Sequence, residues 1–106
     1  MTQSVQLLTL LDELQQELEK KQLWQSHQPD QHALQSQEPF ALDTLNPEQW
    51  LQWIFIPKIQ SMIAQRQPLP VGFAISPYFE QVWKDQSAYQ SVVLITTKID
   101  EVCKPC

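Results

Sequence analysis

Leucines recur near the start of the chain with the spacing of one face of an α-helix. They are separated by four, three and four residues, with polar residues between them: Leu7, Leu11, Leu14 and Leu18. Val5 and Leu8 widen the same apolar stripe. Because residues three and four apart lie on one side of a helix, the pattern predicts an amphipathic first helix that packs this side against a core.

A second apolar segment begins after residues 46–49, whose sequence Asn-Pro-Glu-Gln is typical of a helix start. Asn caps the first turn, and Pro fits the first helical position because no N–H is needed there. The deeply buried face is expected to contain Trp50, Leu51, Trp53 and Ile54. Pro57 has no N–H to donate to the Trp53 carbonyl, so the helix must be kinked or interrupted there before it continues to about Arg66.

A short third helix is predicted after a proline-rich corner. Residues 68–70, Pro-Leu-Pro, are typical of an extended linker. Ser76 and Pro77 then repeat the combination of cap and proline. They open a helix that reaches about Asp85.

The last helix is predicted from a capping box. Ser87 is followed three residues later by Gln90, the spacing at which the two side chains cap each other's backbone N–H groups. The apolar positions that follow have helical spacing: Val92, Ile95, Ile99 and Val102. Residues 92–97 are also β-branched enough for a strand, but the chain offers no convincing second strand to pair with it, so we predict a helix.

Residues 25–45 and the end of the chain lack helical periodicity. Residues 25–45 are polar and rich in Gln, which predicts a long connection. Within it Phe40, Leu42 and Leu45 alternate with smaller or polar residues, and we expect them to hold the connection to the core. Residues 103–106 are predicted to form a frayed tail.

The composition supports one helical domain. A chain of 106 residues is too short for two cores, so residues 1–106 are predicted to form a single domain. One Gly argues against a protein built from many β-hairpins and against a glycine-rich phosphate loop. The predicted fold is all-α, a compact bundle of about four main helices. The eighteen Gln indicate a solvated, weakly charged surface.

The net charge and the apolar runs indicate which partners and which cellular compartment to expect. Seven Lys and Arg against twelve Asp and Glu give a net charge of -5, and the basic residues are scattered. Because nucleic-acid binding needs a basic patch, direct contact with nucleic acid is not expected. The sequence shows no basic segment followed by an apolar run, the pattern that is typical of a signal peptide. No apolar run approaches the ~20 residues that span a bilayer. We therefore expect a cytoplasmic protein without membrane contact.

Two arrangements of metal-binding or redox residues are weaker alternatives. Cys103 and Cys106 form a C-x-x-C pair, but they follow a predicted helix C-terminus, where the helix dipole disfavours a thiolate. His27 and His32 could join the two Cys in a zinc site, although some seventy residues separate the pairs. A frayed tail whose thiols have no specific role in a reducing cytoplasm is the better interpretation than either arrangement. We therefore predict no metal, no cofactor and no catalytic residue, and we do not expect an enzyme.

Short motifs in the middle of the chain follow one another in a distinctive order. They are Pro-Phe at 39–40, Asp-Thr-Leu at 43–45, Trp-Leu-Gln-Trp at 50–53, Ile-Pro-Lys at 56–58, Pro-Leu-Pro at 68–70 and Pro-Tyr at 77–78. In order and spacing they resemble the YqcC-like family of small, uncharacterised bacterial proteins. The resemblance implies an all-α bundle and transfers no catalytic residue. It also implies a link to tRNA modification, because the family is often encoded beside a tRNA pseudouridine synthase of the TruC type.

An excess of apolar residues without catalytic groups favours a non-enzymatic module for protein–protein interaction. Aromatic residues at helical spacing are usually core, but the second helix is apolar over more than one face. Either it is the central helix, or one face is meant for a partner. The predicted interaction surface comprises Phe40, Asp43, Leu45, Trp50, Trp53, Pro57, Lys58, Leu69 and Tyr78. The first alternative is an accessory factor of tRNA pseudouridine modification that acts through the synthase. The second is a small-ligand binder whose pocket only the fold assembles.

Overall fold

The computed structural model describes residues 3–68 and 74–103, which contain helices and turns but no strand. The helical elements are α1 (Gln3–Lys20), α2 (Gln31–Leu34), α3 (Pro47–Trp50), a π-helical turn (Leu51–Phe55), α4 (Ile56–Ala64), α5 (Ser76–Val82) and α6 (Gln90–Val102). There are also two described 3-10 turns, at Pro39–Ala41 and Ser87–Tyr89. The all-α prediction is therefore confirmed, and residues 92–97 are helical.

Helices α1 and α6 pack along each other and supply much of the core. The four leucines predicted from the spacing, Leu7, Leu11, Leu14 and Leu18, are all buried. Val5 and Leu8 are 45% and 41% exposed, so their assignment to the buried stripe was wrong. At 3.6 residues per turn they stand roughly 150° and 90° from the centre of the leucine stripe, outside the arc that the neighbouring helices cover.

One cluster of buried side chains joins the helices. Its members come from α1, the π-helical turn, α4, α5 and α6 and from residues directly beside α5 and α6: Leu7, Leu11, Leu14, Leu18, Leu51, Phe55, Ile56, Ile59, Ile75, Phe79, Trp83, Val92, Val93, Ile95, Ile99 and Cys103. Of the predicted positions on α6, Val102 is only half-buried. Among the described residues, no helix is long and apolar enough to cross a membrane.

Residues 47–64 form one continuous helical run that changes from α to π and back to α. The run begins after Asn46, as predicted, and the N–H of Asn46 donates to Oε1 of Gln49 at 2.7 Å, which is one half of a capping box. In the π-helical turn the N–H of Ile56 donates to the Leu51 carbonyl, five residues back. The predicted interruption therefore takes the form of a π-helical turn directly before the proline.

The π-helical turn also changes which residues of this run are buried. Leu51 and Ile56 are five residues apart, and both face the core. Trp50, Trp53 and Ile54 are only half-buried, so three of the four residues assigned to the deeply buried face were placed wrongly. The assignment assumed 3.6 residues per turn, whereas π bonding takes more residues per turn and rotates the buried face.

Helix α5 is capped from α6 and not by the predicted Ser76. The helix begins at Ser76 itself, where that residue already occupies a helical position. The carboxylate of Asp100 accepts hydrogen bonds from the N–H groups of Ile75 and Ser76, each at 2.9 Å. Asp100 therefore satisfies two of the four free N–H groups that a helix N-terminus presents.

The capping box predicted for α6 does not form. Ser87 lies in a 3-10 turn, and α6 begins at Gln90. The side-chain Nε2 of Gln90 donates to the carbonyls of Trp83 and Gln86, at 2.8 and 3.3 Å. The amide nitrogen of Gln90 thus stabilises the end of the preceding segment.

Residues 25–45 contain α2 and a 3-10 turn between irregular segments. Leu45 is buried, and Phe40 packs against the core, as predicted. Leu42 is 56% exposed, so it does not hold the connection to the core. At the other end of the chain Cys103 is buried, whereas the rest of the predicted frayed tail lies outside the described residues.

Candidate functional site

An apolar cleft opens where the turn at residues 39–41, the run through α3 and α4, and the start of α5 meet. Its volume is about 410 Å³. Its apolar walls include Phe40, Trp50, Ile54, Ile59 and Ile75. Lys58 is the charged residue among the described side chains that line it. The cleft thus offers apolar surface with one positive charge at its edge.

Stacked aromatic rings form one wall of the cleft. The ring of Phe40 stacks on Tyr78 with centroids 4.2 Å apart and an interplanar angle of 13°. It also contacts Trp50 at 4.7 Å, and Trp50 stacks on Phe55 at 5.3 Å. Phe79 lies behind this layer, 6.2 Å from both Phe40 and Trp50. Each of these rings thus packs against at least one other aromatic ring.

The backbone at Phe40 adopts a conformation that is unusual for a residue with a side chain. Its φ and ψ are 58° and 16°, and Ala41 also has a positive φ of 49°. Such left-handed conformations cost about 1–2 kcal/mol per residue for L-amino acids. The stacking of the Phe40 ring and the burial of Ala41 hold the turn in place.

A polar cluster lies on the other side of the run through the π-helical turn. Nε1 of Trp53 donates to Oε1 of Gln25 at 3.0 Å, and Nε2 of Gln49 approaches the same oxygen at 3.4 Å. The side chain of Gln52 is hydrogen-bonded to the backbone of Gln25. Gln residues were predicted to lie on a solvated surface. Neither Gln25 nor Gln52 has a local sequence signal that predicts the contact between them.

Burial shapes the electrostatics of Glu48 and Tyr78. Desolvation raises the pKa of Glu48, and a hydrogen bond from its own backbone N–H partly opposes this effect. Desolvation likewise raises the pKa of the Tyr78 hydroxyl, and the negative charge of Glu48 raises it further. The hydroxyl of Tyr78 therefore stays protonated at neutral pH.

The predicted interaction surface is divided between several places in the fold. Phe40, Trp50 and Lys58 line the cleft together. Tyr78 stacks on Phe40, and Pro57 is exposed and precedes Lys58 in the chain. The fold therefore gathers five of the nine predicted residues at or around the cleft.

The other four predicted residues lie elsewhere. Leu45 is buried, and Trp53 is turned toward Gln25. Asp43 is exposed and accepts a hydrogen bond from the Ser36 hydroxyl at 2.5 Å. Leu69 lies outside the described residues.

The residues considered for zinc or redox chemistry are not gathered into a site. His27 and His32 are exposed, whereas Cys103 is fully buried. Within residues 3–68 and 74–103, no three His, Cys, Asp or Glu side chains are placed to hold a metal ion. Burial raises the pKa of the Cys103 thiol, and the charge of Asp100 raises it further. The partner thiol, Cys106, lies outside the described part of the chain.

Comparison with known proteins gives consistent results over nearly the whole chain. The model of the DUF446 family, described as tRNA pseudouridine synthase C, matches residues 6–102. An uncharacterised protein of Haemophilus influenzae is 37% identical over 92 residues, which cover 87% of each chain. The solution NMR structure of protein YqcC from E. coli is 32% identical, with a TM-score of 0.85 over 96% of this chain and 88% of that one.

One relative is much longer than this chain. A protein of Pectobacterium carotovorum named tRNA pseudouridine synthase C is 32% identical over 84 residues. The match covers 79% of this chain but only 22% of that protein. A segment similar to this chain is thus part of a larger protein that carries a synthase name.

Proposed function

This chain belongs to the DUF446 family of YqcC-like proteins, and from that premise we propose that it is a binding module for a tRNA pseudouridine synthase of the C type. The family membership confirms the resemblance seen in the sequence motifs. In this proposal the module assists pseudouridine modification through the synthase, and the synthase carries out the chemistry.

The observation that carries the proposal is the long relative from Pectobacterium. There, a segment similar to 79% of this chain accounts for 22% of a protein named tRNA pseudouridine synthase C. Covalent linkage raises the effective concentration of one domain at another, so it can replace part of the affinity that two separate chains need. A separate chain with the same role must supply that affinity through its own surface.

The charge of the chain supports an indirect role in tRNA modification. A net charge of -5 with scattered basic residues is unfavourable for contacts with phosphate groups. The same charge is compatible with a basic partner protein, as expected for an enzyme that binds tRNA. The module therefore contacts the synthase and leaves the contacts with tRNA to it.

Binding to the purified synthase tests the proposal directly. The chain is titrated into the C-type synthase of the same organism, and binding is followed by calorimetry and by size-exclusion chromatography. We expect a stoichiometric complex with a Kd of about 1 μM or tighter. A tRNA pseudouridine synthase of another type serves as the control and should not bind. Absence of a complex at concentrations of about 100 μM would refute the proposal.

A deletion strain tests the role in modification. If the module assists the synthase, pseudouridine at the synthase's target position should fall when the gene for this chain is removed, and should return when the gene is restored. Unchanged pseudouridine levels and unchanged modification kinetics in the deletion strain would contradict an accessory role, even if the two proteins bind.

A further inference from the structure

We infer that the apolar cleft beside Lys58 is the docking site for the synthase, and that it takes an apolar segment of the synthase that carries a neighbouring carboxylate. This inference rests on the proposed function, because it names the surface and the chemistry of the contact. It concerns a cleft of about 410 Å³ whose walls include Phe40, Trp50 and Ile54.

The lining of the cleft suits protein side chains better than a polar metabolite. Small-molecule sites of this size combine apolar walls with several converging polar groups that fix the ligand. Here the described lining supplies a single charged side chain, Lys58. Protein interfaces are instead centred on aromatic residues with charged groups at the rim, and Trp is among the residues that contribute most to binding. Trp50 and Lys58 reproduce that arrangement.

The charge of Lys58 indicates that the synthase segment in the cleft carries a negative charge. On its own helix, the positions three and four residues away are Ile54, Phe55, Ser61 and Met62. None of these can form the helical ion pair that usually neutralises an exposed lysine. Lys58 is exposed at the edge of an apolar surface, where a complementary charge on the partner fixes orientation and excludes wrong partners. A carboxylate is that complementary group.

The packing of the aromatic wall favours tight binding. Phe40 is held by its stack on Tyr78 and its contact with Trp50. Its backbone lies in the left-handed region, in a turn whose next residue, Ala41, is buried. Because fewer side chains must be ordered on binding, more of the interaction energy remains for affinity.

Two pairs of matched variants test the inference. Lys58→Glu reverses the charge at the cleft, and Lys84→Glu makes the same change at an exposed position after α5. Ala74→Arg places a large side chain in the cleft without adding negative charge, and Ala88→Arg does so at an exposed position in the turn before α6. All four residues are exposed, so the variants should fold, which circular dichroism and thermal unfolding would verify.

The expected result is a difference within each pair. Lys58→Glu and Ala74→Arg should weaken binding of the purified synthase by about tenfold or more, whereas the control variants should change it by less than about threefold. Raising the salt concentration should reduce the difference in binding between Lys58→Glu and Lys84→Glu, which have the same net charge.

The possible failures are distinguishable. If the natural chain binds the synthase and the cleft variants bind as well as their controls, the inference is wrong and the proposed function stands. If the natural chain does not bind the synthase at all, both are wrong. A dimer of the natural chain that Ala74→Arg dissociates, without loss of synthase binding, would assign the cleft to a second copy and would also overturn the inference.

Discussion

The side-chain amide of Gln52 pairs with the backbone of Gln25 through both of its polar atoms. Its Oε1 accepts from the Gln25 N–H, and its Nε2 donates to the Gln25 carbonyl, each at 2.7 Å. Gln52 is only 5% exposed. The side chain therefore acts like a backbone segment and ties the chain after α1 to the π-helical turn.

Replacement of Gln52 by Ala should destabilise the protein by about 2–3 kcal/mol. The substitution leaves both the N–H and the carbonyl of Gln25 without their partner in a partly buried place, and each unsatisfied group costs about 1–3 kcal/mol when water cannot replace the bond fully. The free energy of unfolding from urea titration measures the effect. Gln60→Ala, at an exposed position of α4, is the control and should change stability by less than about 0.5 kcal/mol. Equal effects of the two substitutions would contradict a special role of the Gln52 pair.

The ends of α1 and α4 offer a way to increase stability. Gln22 and Arg66 have positive φ values of 62° and 56° at positions where glycine is the usual residue. At the end of α1 the N–H of Leu23 donates to the Leu18 carbonyl at 2.8 Å, and the N–H of Gln22 donates to the Glu19 carbonyl at 3.0 Å. These two bonds are those of a Schellman motif, so the left-handed residue is part of the helix end.

Gln22→Gly should therefore raise the free energy of unfolding by about 0.5–1 kcal/mol. Removal of the side chain relieves the left-handed strain, and the greater flexibility of glycine in the unfolded chain offsets only part of this gain. Thermal and urea unfolding measure the change. Gln16→Gly, inside α1, is the control and should lower stability by about 1 kcal/mol. A loss of stability in Gln22→Gly would show that the side chain makes a contact worth more than the strain.

Local signals in the sequence account for most of the helical architecture. The leucine spacing of α1 depends only on the helical period, and the helix start at Asn46 depends on residues within one turn. Pro57 predicted an interruption because, without an N–H, it cannot donate to the carbonyl four residues earlier in the helix. The π-helical turn was not predicted, since several local geometries satisfy the same constraint.

Contacts between distant segments could not be predicted from local patterns. Asp100 caps a helix that begins 24 residues earlier, and Gln52 binds a backbone 27 residues away. For the same reason the sequence suggested Phe40, Trp50 and Lys58 as contact residues but could not show that they line one cleft with Ile75. That placement depends on how α5 packs, which involves the whole core.

The thiol of Cys103 should react slowly in the folded protein. The residue is fully buried, and burial together with the charge of Asp100 raises its pKa, so little of the reactive thiolate is present. A Cys106→Ser variant leaves this single thiol for measurement with Ellman's reagent. We expect the rate to be at least about tenfold lower in buffer than in urea at the same pH, since the fold shields the sulfur from the reagent and the raised pKa lowers the thiolate fraction further. Equal rates in both conditions would contradict the buried position.

The carboxyl group of Glu48 should make the protein less stable as the pH rises. Burial raises its pKa in the folded state above the ordinary value of 4.5, so the folded protein holds this proton more tightly than the unfolded chain. Its contribution is therefore most favourable below that ordinary value and is lost as the pH rises through the raised folded pKa. Urea titrations between about pH 4 and 7 should show a smaller loss of stability for Glu48→Gln than for the natural chain. Glu80→Gln, at an exposed position of α5, is the matched control and should follow the natural chain.

The same Glu48→Gln variant should lower the pKa of Tyr78 without restoring its ordinary value of 10.0. The charge of Glu48 is the smaller cause of the raised pKa, and it disappears in the variant, whereas desolvation is the larger cause and remains. Alkaline titration followed by the ultraviolet absorbance of phenolate measures the shift, and subtraction of the curve for Tyr78→Phe identifies the residue. An unchanged Tyr78 titration in Glu48→Gln would mean that the carboxylate of Glu48 does not act on this hydroxyl and that burial alone raises its pKa.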